Sequence, residues 1–424
     1  MDRETVRPPE ILMHCYAAAI AAVQPRAALH APLRAIVPGN APCWIISIGK
    51  ASHGMARAIV EWLAEHGREP VGGIVVATEA LAAPHPSLQS MAGDHPIPGV
   101  RSVRAAKAIA ALIDEIPIGA DVHIAISGGA SALIAGPLSS LTGTDVTRTF
   151  ELLISSGLDI DEMNAVRKRV TRWSAGRLAL QLPGRTLHVW IISDVPGDDP
   201  GSIASGPCSG DSWHSEDVRA LLTRRGLYSG LPAPVQAALQ VETAKPDDLR
   251  LAGILPCIVA NNSSALAAAV AAARSFDIAA AVMPTPLRGE AAHMGQQIAM
   301  AMQQRRDGRV IQLWGGETTV TIVGGGGVGG RSQELALAAA QALRGTPGVM
   351  LAAGTDGRDG PTDAAGALVD GDTWDRISAA GRDPSADLAR HDAYPALDAA
   401  DALLRTGPSG TNVMDIAMAA TGWS

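Results

Sequence analysis

Lys50, Asp194 and Arg331 stand in the settings that most suggest chemistry. Lys50 follows the apolar run Trp44–Ile48 in Gly49-Lys50-Ala51-Ser52. A cation at a strand-to-helix junction can stabilise the charge that develops on a transferring phosphoryl group. The start of a helix otherwise disfavours a cation, which argues against an incidental surface lysine. Arg331 closes the densest glycine run, Gly324–Gly330, ahead of a helical pattern. Gly325-x4-Gly330-Arg331-Ser332 has the spacing of a phosphate loop, with Arg in place of the usual Lys. Arg makes a planar, bidentate contact where Lys is a point charge. Such a segment can be a true Walker loop, a flexible hairpin between two strands, or a loop carrying Arg331 to phosphate or carboxylate at a helix N-terminus. The last reading is preferred.

Carboxylates form two sets, Asp194, Asp198 and Asp199 on one Pro/Gly-punctuated loop and Asp356, Asp359 and Asp363 on another. Hard oxygen ligands suit Mg²⁺, which takes one or two protein carboxylates and leaves the rest to phosphate and water. A carboxylate can also accept the proton of an acceptor hydroxyl. About half of these six are expected to be turn-formers; Asp194 and Asp356, nearest the strand ends, are the functional candidates. Glu317, in Gly315-Gly316-Glu317-Thr318, is either a ligand group or a hairpin residue. Asn164 and Lys168 share a helix face at i, i+4, and most of the surrounding basic face, with Arg169, Arg172 and Arg177, is expected in solvent. Ser127-Gly128-Gly129-Ala130-Ser131 is a phosphate-type loop. His95 is the one histidine in a tight loop with cleft access. No GxSxG, HExxH or CxxC pattern occurs.

These residues must be positioned by alternating elements. Strands are expected at Trp44–Ile48, Gly73–Ala77, Val122–Ile126, Leu187–Ile192, Pro256–Ala260, Ala279–Met283, Val310–Trp314, Thr319–Val323 and Val349–Ala353. Helical patterns lie between them, including Ser52–His66, Val103–Ile113, Val166–Gln181, Ser263–Arg274, Glu290–Gln304 and Ser332–Leu343. Near-continuous apolar strands alternating with helices imply a parallel α/β sheet. In such sheets ligands bind beyond the carboxyl ends of the strands, where the loops above converge. A linker or domain edge is expected at Asp211–Leu255, rich in Pro, Gly and charge.

The chain has 424 residues, 45 Gly and a net charge of −8, with 3% aromatic residues, so a nucleic-acid groove is excluded and two domains are expected. Four isolated cysteines fit a reduced, cytoplasmic protein. Ile11–Val23 lacks a basic flank and is too short to cross a bilayer, so neither a signal peptide nor a membrane contact is expected.

In order along the chain, these segments resemble the type II glycerate kinases (glycerate 2-kinases), whose C-terminal part is the MOFRL domain. The matching stretches include Ser47-Ile48-Gly49-Lys50-Ala51, Gly93-Asp94-His95-Pro96, Ser127–Leu133, Asn164-Ala165-Val166-Arg167-Lys168 and Ser193-Asp194-Val195-Pro196-Gly197-Asp198-Asp199-Pro200. Others are Gly315-Gly316-Glu317-Thr318, Gly330-Arg331-Ser332-Gln333-Glu334, Gly354–Gly366 and Thr406-Gly407-Pro408-Ser409-Gly410-Thr411-Asn412-Val413. The resemblance implies a Rossmann-like parallel-sheet N-terminal domain, residues 1–305, and a smaller α/β MOFRL domain, residues 306–424, with the active site in the interdomain cleft. It implies phosphorylation of D-glycerate with ATP and Mg²⁺ to 2-phosphoglycerate, with Lys50 and Arg331 matching the catalytic Lys and Arg. Asp194 then serves as base or metal ligand, and Asp356 as a second metal candidate. Ser127, Gly128, Gly129, Ser131, Asn164, Lys168 and Glu317 are assigned to substrate and phosphate, and a homodimer is the expected assembly.

The sequence departs from the family at Ala130, where a third Gly is usual, at Arg169 and Ser174-Ala175-Gly176, and at Gly99. Two rivals remain: an NAD(P)H-dependent hydroxypyruvate reductase, which needs a GxGxxG that the early βα units lack, and a non-catalytic nucleotide-binding regulator.

Overall fold

The computed structural model describes residues 7–304, 308–322 and 324–423. The chain divides into two compact units, Pro25–Val259 and Met1–Gln24 with Ala260–Ser424. The expected boundary at 305/306 lies outside the described residues. The division between Val259 and Ala260 follows soon after Asp211–Leu255, but that segment is no linker. It belongs to the first unit and folds into the helices Ser215–Arg224 and Ala233–Ala238.

The first unit is built on β1 (Cys43–Ile48), β2 (Gly72–Ala77), β3 (Leu88–Ala92), β4 (Asp121–Ile126), β5 (Thr186–Ile192) and β6 (Cys257–Ala260). Their order is β3-β2-β1-β4-β5-β6, and the pairs from β3 through β5 are parallel. Every residue of β1 is buried, as expected for a strand covered on both faces. Helix Ser52–Glu65 follows β1 and buries Met55, Ile59, Trp62 and Leu63, a spacing that puts one stripe on the sheet. Trp44, Ile46, Ile74, Ile109, Ile124 and Val189 share one core; each such side chain contributes about 1.5–3 kcal/mol by leaving water. A second cluster gathers around Phe150 and includes Val166, Val218 and Leu222.

The second unit carries β7 (Ala279–Val282), β8 (Val310–Gly316), β9 (Val349–Gly354), β10 (Gly366–Asp370), β11 (Leu403–Leu404) and β12 (Asp415–Thr421). The order is β11-β10-β9-β12-β8-β7, with β7 and β8 parallel and the other pairs antiparallel. Helix Pro8–Ala22 packs on helix Asn262–Arg274, which explains why the first residues of the chain belong here. Asn261 caps the latter helix, its Oδ1 accepting from the Ser264 N–H at 2.9 Å.

Two expected elements differ. Among the described residues, Thr319–Ile322 forms no strand, Thr319 making one bridge to Glu290, and Val323 lies outside them. The helix expected over Val166–Gln181 is two, Ile160–Val170 and Arg177–Leu180, parted by a turn with Ala175 at φ 54° and Gly176 at φ 77°. No helix among the described residues is long and apolar enough to cross a membrane.

Candidate active site

In the first unit the chain winds outward in both directions from β1 and β4, so the topological switch point lies between them. The loops after these strands are stitched together. The Ser127 N–H donates to the Ile48 carbonyl at 2.9 Å, the Lys50 N–H to the Gly128 carbonyl at 2.9 Å, and the Ala51 N–H to the Ser127 hydroxyl at 3.0 Å. Gly49 has φ +123°, and a Cβ there would overlap Ser127, so both conformation and space demand glycine. Gly128 abuts Asp194, whose carboxylate stands where a Cβ would go. A Cβ on Gly129 would lie 3.2 Å from His95 Cδ2 and 3.6 Å from Lys50 Cγ. Lys50, His95 and Asp194 thus surround Gly128-Gly129.

The cradle continues through hydroxyls and an amide. Ser131 Oγ lies 2.9 Å from Ser205 Oγ, and the Ser205 hydroxyl donates to Asn164 Oδ1 at 3.3 Å. Asn164 also donates to the Ser202 carbonyl at 3.3 Å and accepts from Arg167 at 3.3 Å. The protein around the His95 ring, then the charges of Lys50 and Arg167, hold its pKa below the ordinary value. The ring is therefore neutral near pH 7. Ser127, Gly128, Gly129, Ser131, Asn164, Lys50 and Asp194 are brought together as a set.

Lys168 is placed differently. Its ammonium lies 3.1 Å from Asp211 Oδ1, while Arg169 reaches Asp211 Oδ2 at 2.7 Å and Thr243 donates to the same oxygen at 2.9 Å. Asp211 and Arg169 are fully buried at the side chain. Burial pushes the Asp211 carboxyl up, but Lys168 and Arg169 outweigh it and hold it below the ordinary range. The charge of Lys168 is thus compensated inside the fold. The basic face expected in solvent is largely buried too, since Arg177 donates to the carbonyls of Lys168, Thr171 and Ser174 at 2.7, 3.1 and 3.0 Å.

In the second unit Arg331 opens helix Arg331–Leu343 and is held by Asp415 through Nε at 2.5 Å and through a second guanidinium nitrogen at 3.1 Å. Glu317 pairs with the remaining nitrogen. Despite desolvation, these carboxylates hold the Arg331 guanidinium more firmly protonated than usual. The sheet explains the meeting. β12 runs antiparallel between β8 and β9, so its first residue, Asp415, sits beside Gly316 and Gly354, where Glu317 and Asp356 leave their strands.

The N–H groups that open this helix meet a carboxylate of the chain itself. Asp359 accepts from the Ser332 N–H at 3.1 Å and the Gln333 N–H at 2.7 Å. Burial, with Asp415 nearby, raises the Asp359 pKa to about 7 against those hydrogen bonds. Among the described residues the glycine run forms no hairpin, and two of its N–H groups are engaged within the unit. The Gly327 N–H donates to the Arg390 carbonyl at 2.8 Å and the Val328 N–H to Asp392 at 2.8 Å. Asp356 forms a turn, accepting from the Arg358 N–H at 3.0 Å. Asp363 is held by Tyr394 and Arg405 at 2.8 and 3.3 Å.

Sequence reading missed Asp415, Asp211 and the packing role of Tyr16, whose hydroxyl donates to the Gly354 carbonyl at 2.6 Å. No group of three metal-ligating side chains occurs among the described residues. Asp194 is a half-buried oxygen donor just beyond β5 in the first unit, and Asp356 is one just beyond β9 in the second.

Comparison with known proteins gives this arrangement its relatives. Residues 11–240 match a domain of unknown function, DUF4147, and residues 310–415 match the MOFRL family. A Pyrococcus horikoshii glycerate 2-kinase is 36% identical over 389 residues, covering 89% of this chain and 86% of that one. An Agrobacterium vitis protein with a provisional hydroxypyruvate reductase name is 38% identical, over 96% of this chain and 93% of its own. The crystal structure of a Thermotoga maritima glycerate kinase superposes with a TM-score of 0.86 at 32% identity, covering 97% of this chain and 98% of that one. The chain is an α/β kinase. It belongs to the type II glycerate kinase family, with a DUF4147 region followed by MOFRL.

Proposed function

We propose that the protein transfers the γ-phosphoryl group of ATP to the 2-hydroxyl of D-glycerate, with Mg²⁺, giving 2-phospho-D-glycerate and ADP. The observation that carries this reading is the switch-point cradle, where Lys50 and Asp194 flank the Gly128-Gly129 turn. The glycerate kinase names of the relatives supply the acceptor. The hydroxyl oxygen forms a bond to the γ-phosphorus as the bond to the bridging oxygen of ADP breaks. Asp194 takes the hydroxyl proton. Lys50 neutralises charge on the transferring group, and Arg331 offers a guanidinium to phosphate oxygens, where cationic clamps matter most. Asp194 or Asp356 would hold Mg²⁺, which when bound would neutralise charge on the nucleotide. Glu317 pairs with Arg331 and so helps to orient it.

The test is incubation with ATP, MgCl₂ and D-glycerate and identification of the product by ³¹P NMR. 2-Phosphoglycerate is expected; 3-phosphoglycerate would correct the regiochemistry. A parallel reaction with hydroxypyruvate and NADH tests the reductase reading, which predicts NADH oxidation. Lys50→Ala and Arg331→Ala proteins that kept the parent rate would sink the assigned roles.

A further inference from the structure

We infer that Arg167 receives the carboxylate of the hydroxyacid substrate. This rests on the kinase reading above and assigns the anion subsite within the cradle. Helix Ile160–Val170 carries three consecutive cations, and their surroundings differ. Lys168 and Arg169 share Asp211. Arg167 has no carboxylate partner among the described residues. Its guanidinium lies over the Phe150 ring at 4.8 Å, donates to Asn164 Oδ1 at 3.3 Å and approaches Met163 Sδ at 3.9 Å. These are neutral and long contacts. Its Nε is buried without a hydrogen-bond partner.

A charge withdrawn from water without a counter-ion is costly, by several kcal/mol in real proteins. Desolvation lowers the Arg167 pKa to about 10, as it does that of Arg177, so it is the partners rather than the burial that set the two apart. A structural arginine would be placed where a carboxylate or a set of carbonyls satisfies it, as Arg177 is. Arg167 is instead stacked on an aromatic face with donors unused, an arrangement that fixes a guanidinium in advance of a ligand.

Its position fits that role. The Asn164 oxygen to which it donates also receives the Ser205 hydroxyl, which meets Ser131, two residues beyond Gly129. Its charge also acts on His95, beside Gly129 and Lys50. A planar fork suits a carboxylate, to which it can donate two parallel bonds. Lys50, a point charge on a flexible stem, suits a moving phosphoryl group.

The experiment measures KM for D-glycerate and for ATP separately in the parent, Arg167→Met and Arg167→Lys proteins, with glycerol as a neutral acceptor. Loss of a charge-assisted contact predicts a rise in KM for D-glycerate of about 30-fold or more in Arg167→Met. A smaller rise is expected in Arg167→Lys, with KM for ATP within about twofold of the parent. Preference for D-glycerate over glycerol should shrink in Arg167→Met. An unchanged KM for D-glycerate, or an equal rise for ATP, overturns the inference.

If Arg167→Met does not fold, Asn164→Asp decides, because a carboxylate beside Arg167 should compete with substrate and raise the same KM. If the parent does not phosphorylate D-glycerate, the kinase reading fails on its own. Calorimetry then decides the subsite: D-glycerate binding lost in Arg167→Lys or Asn164→Asp supports it, and unchanged binding refutes it.

Discussion

Asp415 holds Arg331 by two hydrogen bonds, one to each carboxylate oxygen, at 2.5 and 3.1 Å, the bidentate pairing in which a carboxylate fixes a guanidinium plane. Asp415 is buried, its side chain 6% exposed, while Arg331 keeps 37%. The pair therefore orients one edge of the arginine and leaves the group partly open to a ligand.

Asp415→Asn should lower kcat about 10- to 100-fold, since a neutral amide retains at most one of the two bonds and loosens the guanidinium. Partial exposure limits the stability loss to about 1–3 kcal/mol. Steady-state kinetics and thermal denaturation separate the two effects. A variant with parental kcat would show that Glu317 alone suffices to orient Arg331.

Gly128 makes the opposite kind of prediction. A methyl group there meets the end of the Asp194 side chain, which can swing aside, so the fold should tolerate Gly128→Ala. The carboxylate would no longer stand over the turn. A displacement on that scale costs on the order of 100-fold in kcat, with the melting temperature close to parental. A large fall in melting temperature with intact kcat per folded molecule would contradict the placement of Asp194 in the reaction.

The cradle was legible in the sequence because parallel strands announce themselves as apolar runs and the loops after them carry glycine and charge. Gly49-Lys50 and Ser127–Ser131 follow β1 and β4 directly, and strand order alone brings them together. β12 was invisible for a physical reason. Asp415-Ile416-Ala417-Met418-Ala419-Ala420-Thr421 has few β-branched residues, and its Ala and Met favour a helix in isolation; sheet neighbours on both sides override that propensity. Asp415 was lost with it. The helical spacing of Asn164 and Lys168 was read correctly as one helix face, but spacing does not reveal that Asp211, 43 residues on, claims the ammonium. Arg167, one position earlier, keeps the uncompensated charge.

Asp211→Asn tests that network. Lys168 and Arg169 would lose their shared counter-ion in a buried setting, at a cost of about 3–5 kcal/mol. Chemical denaturation should show this loss at neutral pH. Because the Asp211 pKa is lowered on folding, its contribution is present above the unfolded carboxylate value and disappears as pH falls through the folded one. The difference between parent and variant should therefore narrow in acid. A constant difference from neutral to acidic pH would show that charge compensation is not what Asp211 provides.

Asp359 should give the opposite slope. Burial raises its pKa from 3.8 to about 7, although two backbone N–H groups favour the ionised form, so the folded protein binds a proton that the unfolded chain releases. Stability from this group is complete below the unfolded pKa and falls as pH rises towards the folded one, by at most about 1.4 kcal/mol per pH unit. Above about pH 7 both states are ionised and the loss is complete. Asn mimics the protonated carboxyl and does not titrate, so Asp359→Asn should remove the slope while keeping one acceptor for the helix N-terminus. Melting temperatures of the parent relative to the variant should decline between pH 5 and pH 7 and level off above it, and a difference that does not change over that interval would mean that Asp359 stays ionised and caps the helix as a carboxylate throughout.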